Sequence, residues 1–107
     1  METRILDESY IEQILPLLHE LNSQITIDEL RELQLEMFSM SNYTCFGLFD
    51  EVTMVGVASG WITVRLYSGK QLEVDNVIIS SNQQSKGFGE IFVRDMEKWA
   101  IKNGCKT

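Results

Sequence analysis

Two periods of apolar and polar positions divide this chain into elements. Thr3 to Leu6 reads as a short strand. Asp7-Glu8-Ser9 then offers helix-start chemistry, with Ser9 and Glu12 spaced as a capping box. Ile11, Ile14, Leu15, Leu18 and Leu21 follow three and four apart, which predicts a helix with one apolar face. Pro16 lies inside that pattern and predicts a kink or a restart. Thr26 and Glu29 form a second capping-box pair. The helix they open carries Ile27, Leu30, Leu33, Met37 and Phe38 on one face.

From Tyr43 the pattern becomes that of strands. Tyr43–Phe49, Met54–Leu66 and Gln71–Ile79 are three apolar runs separated by the polar turns Asp50–Thr53 and Tyr67–Lys70. Turns this short predict antiparallel hairpins. A polar loop, Ser80–Lys86, then runs into Gly87-Phe88-Gly89 and a long helix with Phe88, Ile91, Phe92, Met96, Trp99 and Ala100 on one face. Asn103-Gly104 is a helix stop. The predicted order is β-α-α-β-β-β-α, with no repeat or low-complexity tract, in a single domain over residues 1–107.

Composition narrows the classes of partner. The hydrophobic share of 44% and charged share of 23% are those of an ordinary globular domain. No run nears the ~18 apolar residues of a membrane span. Met1-Glu2-Thr3-Arg4 opens polar, without the apolar stretch of a secretory signal, so a cytoplasmic protein is expected. Sixteen acidic against nine basic residues give a net charge of −7, which argues against nucleic acid and suits a cationic small molecule or basic peptide. Cys45, Cys105 and one histidine supply neither a zinc set nor a disulfide framework, so no metal is expected. Cys45, within an apolar run, reads as a small buried hydrophobe. His19 and Trp99 read as structural, and Trp61 as packing or a pocket wall.

The segment from Leu72 to Glu90 carries the chemistry. A strand feeds a loop whose last residues open a helix, and such a helix start offers free N–H groups and a positive dipole end to an anion. Gly87 and Gly89 let a phosphate approach the backbone, with Lys86 as a nearby cation. The Walker loop does not fit, because Lys86 precedes the glycines. The dinucleotide fingerprint fails at Phe92, where its third glycine would stand. Gln84-Ser85-Lys86-Gly87-Phe88-Gly89 does fit [Gln/Arg]-x-x-Gly-x-[Gly/Ala]. The strand before it holds a phase slip. Leu72 and Val74 share a face, and Val77 and Ile79 fall out of step with them. An inserted bulge residue near Asp75-Asn76 would do this, as would a run buried on both faces.

With that motif and that element order, the chain resembles the GNAT superfamily of acyl-CoA-dependent N-acyltransferases along its whole length. The resemblance implies an α+β fold, with a mixed, mainly antiparallel sheet flanked by helices on both faces. It implies acetyl-CoA as cosubstrate and an amine as acceptor. Backbone groups of Val77, Ile78 and Ile79 would hold the acyl-pantetheine. The N–H groups from Ser85 through Lys86, Gly87, Phe88 and Gly89 to Glu90 would hold the pyrophosphate, with Gln84 opening the motif. Asp75 matches the position where relatives place a catalytic carboxylate, and Glu73 is a second candidate. The loop Asn22–Ile25 is expected to touch the acceptor. In the family the fold continues past the long helix with β-α-β-β, and the sequence as given stops before it. The strand Gln71–Ile79 would then be a sheet edge open to pairing, from which a homo-oligomer is expected. The alternative function is a non-catalytic module that binds acyl-CoA or self-associates.

Overall fold

The computed structural model describes residues 1–106, with the side chains of residues 84–86 outside the description. Strand β1 (Glu2–Leu6) passes through a 3-10 turn (Glu8–Tyr10) into helix α1 (Ile11–Leu21), and helix α2 (Ile27–Phe38) follows. Strands β2 (Tyr43–Asp50), β3 (Thr53–Arg65) and β4 (Gly69–Ile79) come next. A second 3-10 turn (Ser81–Lys86) then leads into helix α3 (Phe88–Lys102). This is the predicted order. The sheet runs β1-β2-β3-β4, and every described strand pair is antiparallel.

Each face of the sheet has its own core. Cys45, Phe49, Val57 and Ile78 pack against Ile14, Leu15, Leu18 and Leu30 of α1 and α2. Phe46, Leu48, Val55 and Ala58 pack against Phe92 and Met96 of α3. Strand β2 is therefore covered on both sides, which is why Cys45–Phe49 reads as an unbroken apolar run. Trp99 lies edge-on to Phe46 at 5.2 Å, a core role as expected. The Thr3 hydroxyl donates to Asp95 at 2.6 Å and ties β1 to α3.

The helix starts differ in how well their residues foretold them. Thr26 caps α2 as expected, its hydroxyl accepting from the Glu29 amide at 3.1 Å. Removing that acceptor in Thr26→Ala should lower stability by about 1 kcal/mol, read as an earlier midpoint in urea unfolding. The Ser9–Glu12 capping box does not form. Asp7 instead accepts from the Ser9 amide at 2.9 Å and caps the 3-10 turn, so α1 begins only at Ile11. Helix α1 also runs through Pro16 as one element. The lost amide bond is outweighed by burial of Ile14, Leu15, Leu17 and Leu18 around it. Within its apolar face Leu17 is buried and Leu21 is 61% exposed, an exchange of the expected roles.

Candidate functional site

The site grows from a defect in the sheet. Across β3 and β4, Val57 faces Ile78 and Ser59 faces Asp75, so Asn76 and Val77 together stand opposite Ala58. This is a β-bulge at the predicted phase slip. Asn76 takes φ +50°, in the left-handed region that asparagine tolerates better than most side chains. Beyond the bulge the strand regains its alternation in shifted phase. Leu72 and Ile79 lie on the α3 face, and Ile78 lies on the α1–α2 face. Asp75 lies across from Ser59, and Glu73 across from Trp61. The Ser59 hydroxyl bonds Tyr43 at 2.8 Å, and Trp61 lies against the Tyr43 ring at 4.7 Å. Both carboxylates therefore project from the α1–α2 face.

Two cavities flank the bulge. Val77, Ile78 and Ile79 line one of about 180 Å³, closed on its other side by Glu20 and Leu21 from the last turn of α1. Asn76 borders the other, about 270 Å³, whose walls come from α1, α2 and the loop between them, including Asn22 and Ile25. The Ser81 amide donates to Glu20 Oε1 at 2.9 Å and joins the end of α1 to the segment leaving β4. The bulge thus opens toward both cavities from one strand.

One short 3-10 turn later comes the glycine segment. Gly87 has φ +75° and begins α3, and no side chain caps that helix start. The position calls for glycine because a Cβ is strained there. Gly89 is different: its backbone is ordinary helix, yet a Cβ built on it meets no described atom beyond its own helix backbone within 4 Å. The space above the first turn of α3 is open, and a groove of about 440 Å³ runs from Gly89 and Glu90 along Val93, Arg94 and Glu97. Backbone N–H groups at such a start face outward to whatever anion is supplied. Phe88 turns its ring back into the α3 core. The side chains of Gln84, Ser85 and Lys86 lie outside the described residues.

The two candidate carboxylates are in different electrostatic situations. Arg65 donates to Glu73 Oε1 at 2.8 Å, and Thr63 donates to the same oxygen at 3.3 Å. The guanidinium bond holds the Glu73 carboxyl below its usual range and makes it a poorer proton acceptor. Asp75, one residue before the bulge, has no ion pair or side-chain hydrogen bond among the described residues.

A polar chain beneath the second cavity escaped the sequence reading. Gln34 is fully buried on α2 and donates to the Tyr43 hydroxyl at 2.7 Å, which in turn meets Ser59. Burial raises the Tyr43 hydroxyl well above its usual pKa and pushes the Cys45 thiol up to about 11. Cys45 is thus inert, as a buried structural thiol should be. The available signal was register: Tyr43 and Ser59 are polar residues at inward-facing strand positions. Nothing local marked Gln34 or Glu20. Among the described residues, no group of three or more His, Cys, Asp or Glu could hold a metal ion. No helix there is long and apolar enough to cross a membrane.

Comparison with known proteins agrees with this geometry. A family model described as Acetyltransferase (GNAT) family matches residues 11–107. No curated protein sequence matches the chain. Among solved structures, a GNAT family acetyltransferase from Staphylococcus aureus superposes with a TM-score of 0.87 at 19% identity, covering 98% of this chain and 81% of that one. Glucosamine-6-phosphate N-acetyltransferase from Arabidopsis thaliana gives 0.75 at 19%, covering 98% and 77%. The aminoglycoside N-acetyltransferase AAC(6')-Iy, solved with a CoA-linked bisubstrate analogue, gives 0.80 at 13%, covering 98% and 74%. At these identities the superpositions establish the fold. The family model, spanning most of the sequence, establishes the kinship: the chain belongs to the GNAT family of acetyltransferases.

Proposed function

We propose that this chain transfers an acetyl group from acetyl-CoA to a primary amine of a small molecule or peptide. The observation that carries the proposal is the placing of the bulge and the uncapped, open glycine turn at the same end of β4, one 3-10 turn apart. The pyrophosphate lies on the N–H groups from Ser85 to Glu90, where the helix dipole and absent Cβ atoms favour it. The pantetheine runs back along β4, bonding the backbone at Val77, Ile78 and Ile79. This brings the thioester to the bulge, between the two cavities.

At the bulge the amine nitrogen bonds to the acyl carbon as the carbon–sulfur bond breaks. Sulfur departs with the electron pair, and the ammonium proton passes to a base. Asp75 is that base, directly or through one water, because Glu73 is occupied by Arg65. The test is release of free thiol when acetyl-CoA meets a panel of amines. Asp75→Asn should slow turnover by about 100-fold or more and leave CoA affinity unchanged, while Glu73→Gln changes turnover little. An Asp75→Asn enzyme with wild-type kcat removes the residue from the mechanism. CoA binding without thiol release from any amine favours a non-catalytic module instead.

The sheet edge supports self-association. β4 closes the sheet order, and Val74 and Val77 are 40% and 39% exposed beside a groove lined by Leu72, Val93, Met96 and Ala100. An apolar strand at an edge invites pairing with a second copy. Sedimentation velocity at micromolar concentration should show a dimer, and a clean monomer there refutes it.

A further inference from the structure

The second cavity at the bulge gives the acceptor a chemical class, an inference that rests on the acetyl-transfer reading above. Its walls are Leu18, Ile25, Leu30, Leu33 and Met37 from α1, α2 and their connection. Leu33 is 52% exposed although it shares the apolar face expected to be buried. The core contact on that helix is made instead by Leu30 and Gln34. Leu33 and Met37, one turn apart, are left facing the cavity.

The polar lining is Asn22, Gln34, Glu36 and Asn76; among the described residues Glu36 is the only charged one, and no lysine, arginine or histidine borders the space. At the floor, the Gln34 amide nitrogen is already committed to Tyr43. Asn76 marks the end nearest the bulge. A phosphorylated sugar entering here would set its dianion against Glu36 with no cation to meet it. A polyhydroxylated amine would meet, besides Glu36, only the side-chain amides of Asn22, Gln34 and Asn76, two of whose nitrogens are already committed to Leu18 and Tyr43. Most of its hydroxyls would be left unpaired against leucine and methionine.

We propose that the acceptor is a primary amine carried on an apolar aliphatic or aromatic body, without phosphate or carboxylate. The body lies against Leu33 and Met37, Glu36 draws the cationic form into the pocket mouth, and the nitrogen reaches the thioester at the Asn76 end.

The experiment compares kcat/KM for butylamine and phenylethylamine with that for glucosamine-6-phosphate and neamine, alongside a separate CoA titration. The apolar amines should be preferred by about 10-fold or more. Leu33→Gln, at an exposed position that leaves the fold intact, should raise KM for phenylethylamine about 10-fold without changing CoA affinity. Glu36→Gln should raise it about 3-fold. Preference for the sugar phosphate or for neamine overturns the inference and leaves acetyl transfer standing. Failure to bind CoA overturns the reading beneath it. In that case amide shifts at Leu33 and Met37 on adding phenylethylamine still report on the pocket, and their absence overturns the inference too.

Discussion

A Gly89→Val variant should unfold at nearly the wild-type temperature while losing CoA by about 10- to 100-fold, the value of one or two hydrogen bonds to a charged group. The two halves of this expectation come from the same fact. A Cβ at residue 89 meets no described atom beyond its own helix backbone within 4 Å, and the backbone there is helical. Valine is no worse than glycine in a helix, so the folded state has no reason to object. Among the described residues no other element registers the branched side chain, so the expected effect falls on a ligand resting on the first turn of α3. Gly89→Ala should keep most of the affinity, since the motif admits alanine at this position. Gly87 makes a poorer probe: at φ +75° any side chain adds strain of about 1–3 kcal/mol, so lost binding there would be confounded with lost stability. Thermal unfolding and CoA titration on the same three samples check the expectation. Equal CoA affinity in Gly89→Val and wild type would contradict it.

Deleting Asn76 should have the second large effect, loss of acetyl transfer with the fold retained. The bulge exists because two residues of β4 oppose one of β3. Remove one and the ladder can close in regular register: Val77 would pair Ala58, Asp75 would still pair Ser59, and Leu72, Glu73 and Asp75 would keep their faces. What is lost is the unpaired residue that bends the strand, so the opening beside Val77 would close. Asn76→Gly is the control: glycine accepts φ +50° freely and should retain both fold and turnover. A deletion variant with wild-type thiol release would show that the bulge is dispensable.

Local signals were legible where the partners are close in sequence. The Thr26–Glu29 cap, the stop at Asn103-Gly104, the hairpins and the glycine turn all involve residues within a few positions of each other. The bulge was legible because period-2 alternation is strict enough to expose a single inserted residue in Leu72–Ile79. Three features were hidden by competition or distance. Asp7 and Ser9 are both cap formers, and the choice between them depended on a 3-10 turn that no pattern announces. Pro16 was read by its local cost alone, which packing of four buried neighbours overrides. Gln34 reads as a surface residue until Tyr43 and Ser59, on two other elements, supply its partners. Likewise the bond from Ser81 to Glu20 joins residues 61 apart. The glycine turn was legible as a motif, and the anion binding proposed for it rests on backbone N–H groups, which any sequence with the same glycines presents alike.

The decisive measurement is a titration of CoA into uniformly nitrogen-15-labelled protein, followed at the backbone amides. The largest shifts are expected at Gly87, Phe88, Gly89 and Glu90, with a second set at Val77, Ile78 and Ile79. Saturating CoA that leaves those amides unmoved, or moves a different surface, would contradict the proposed site.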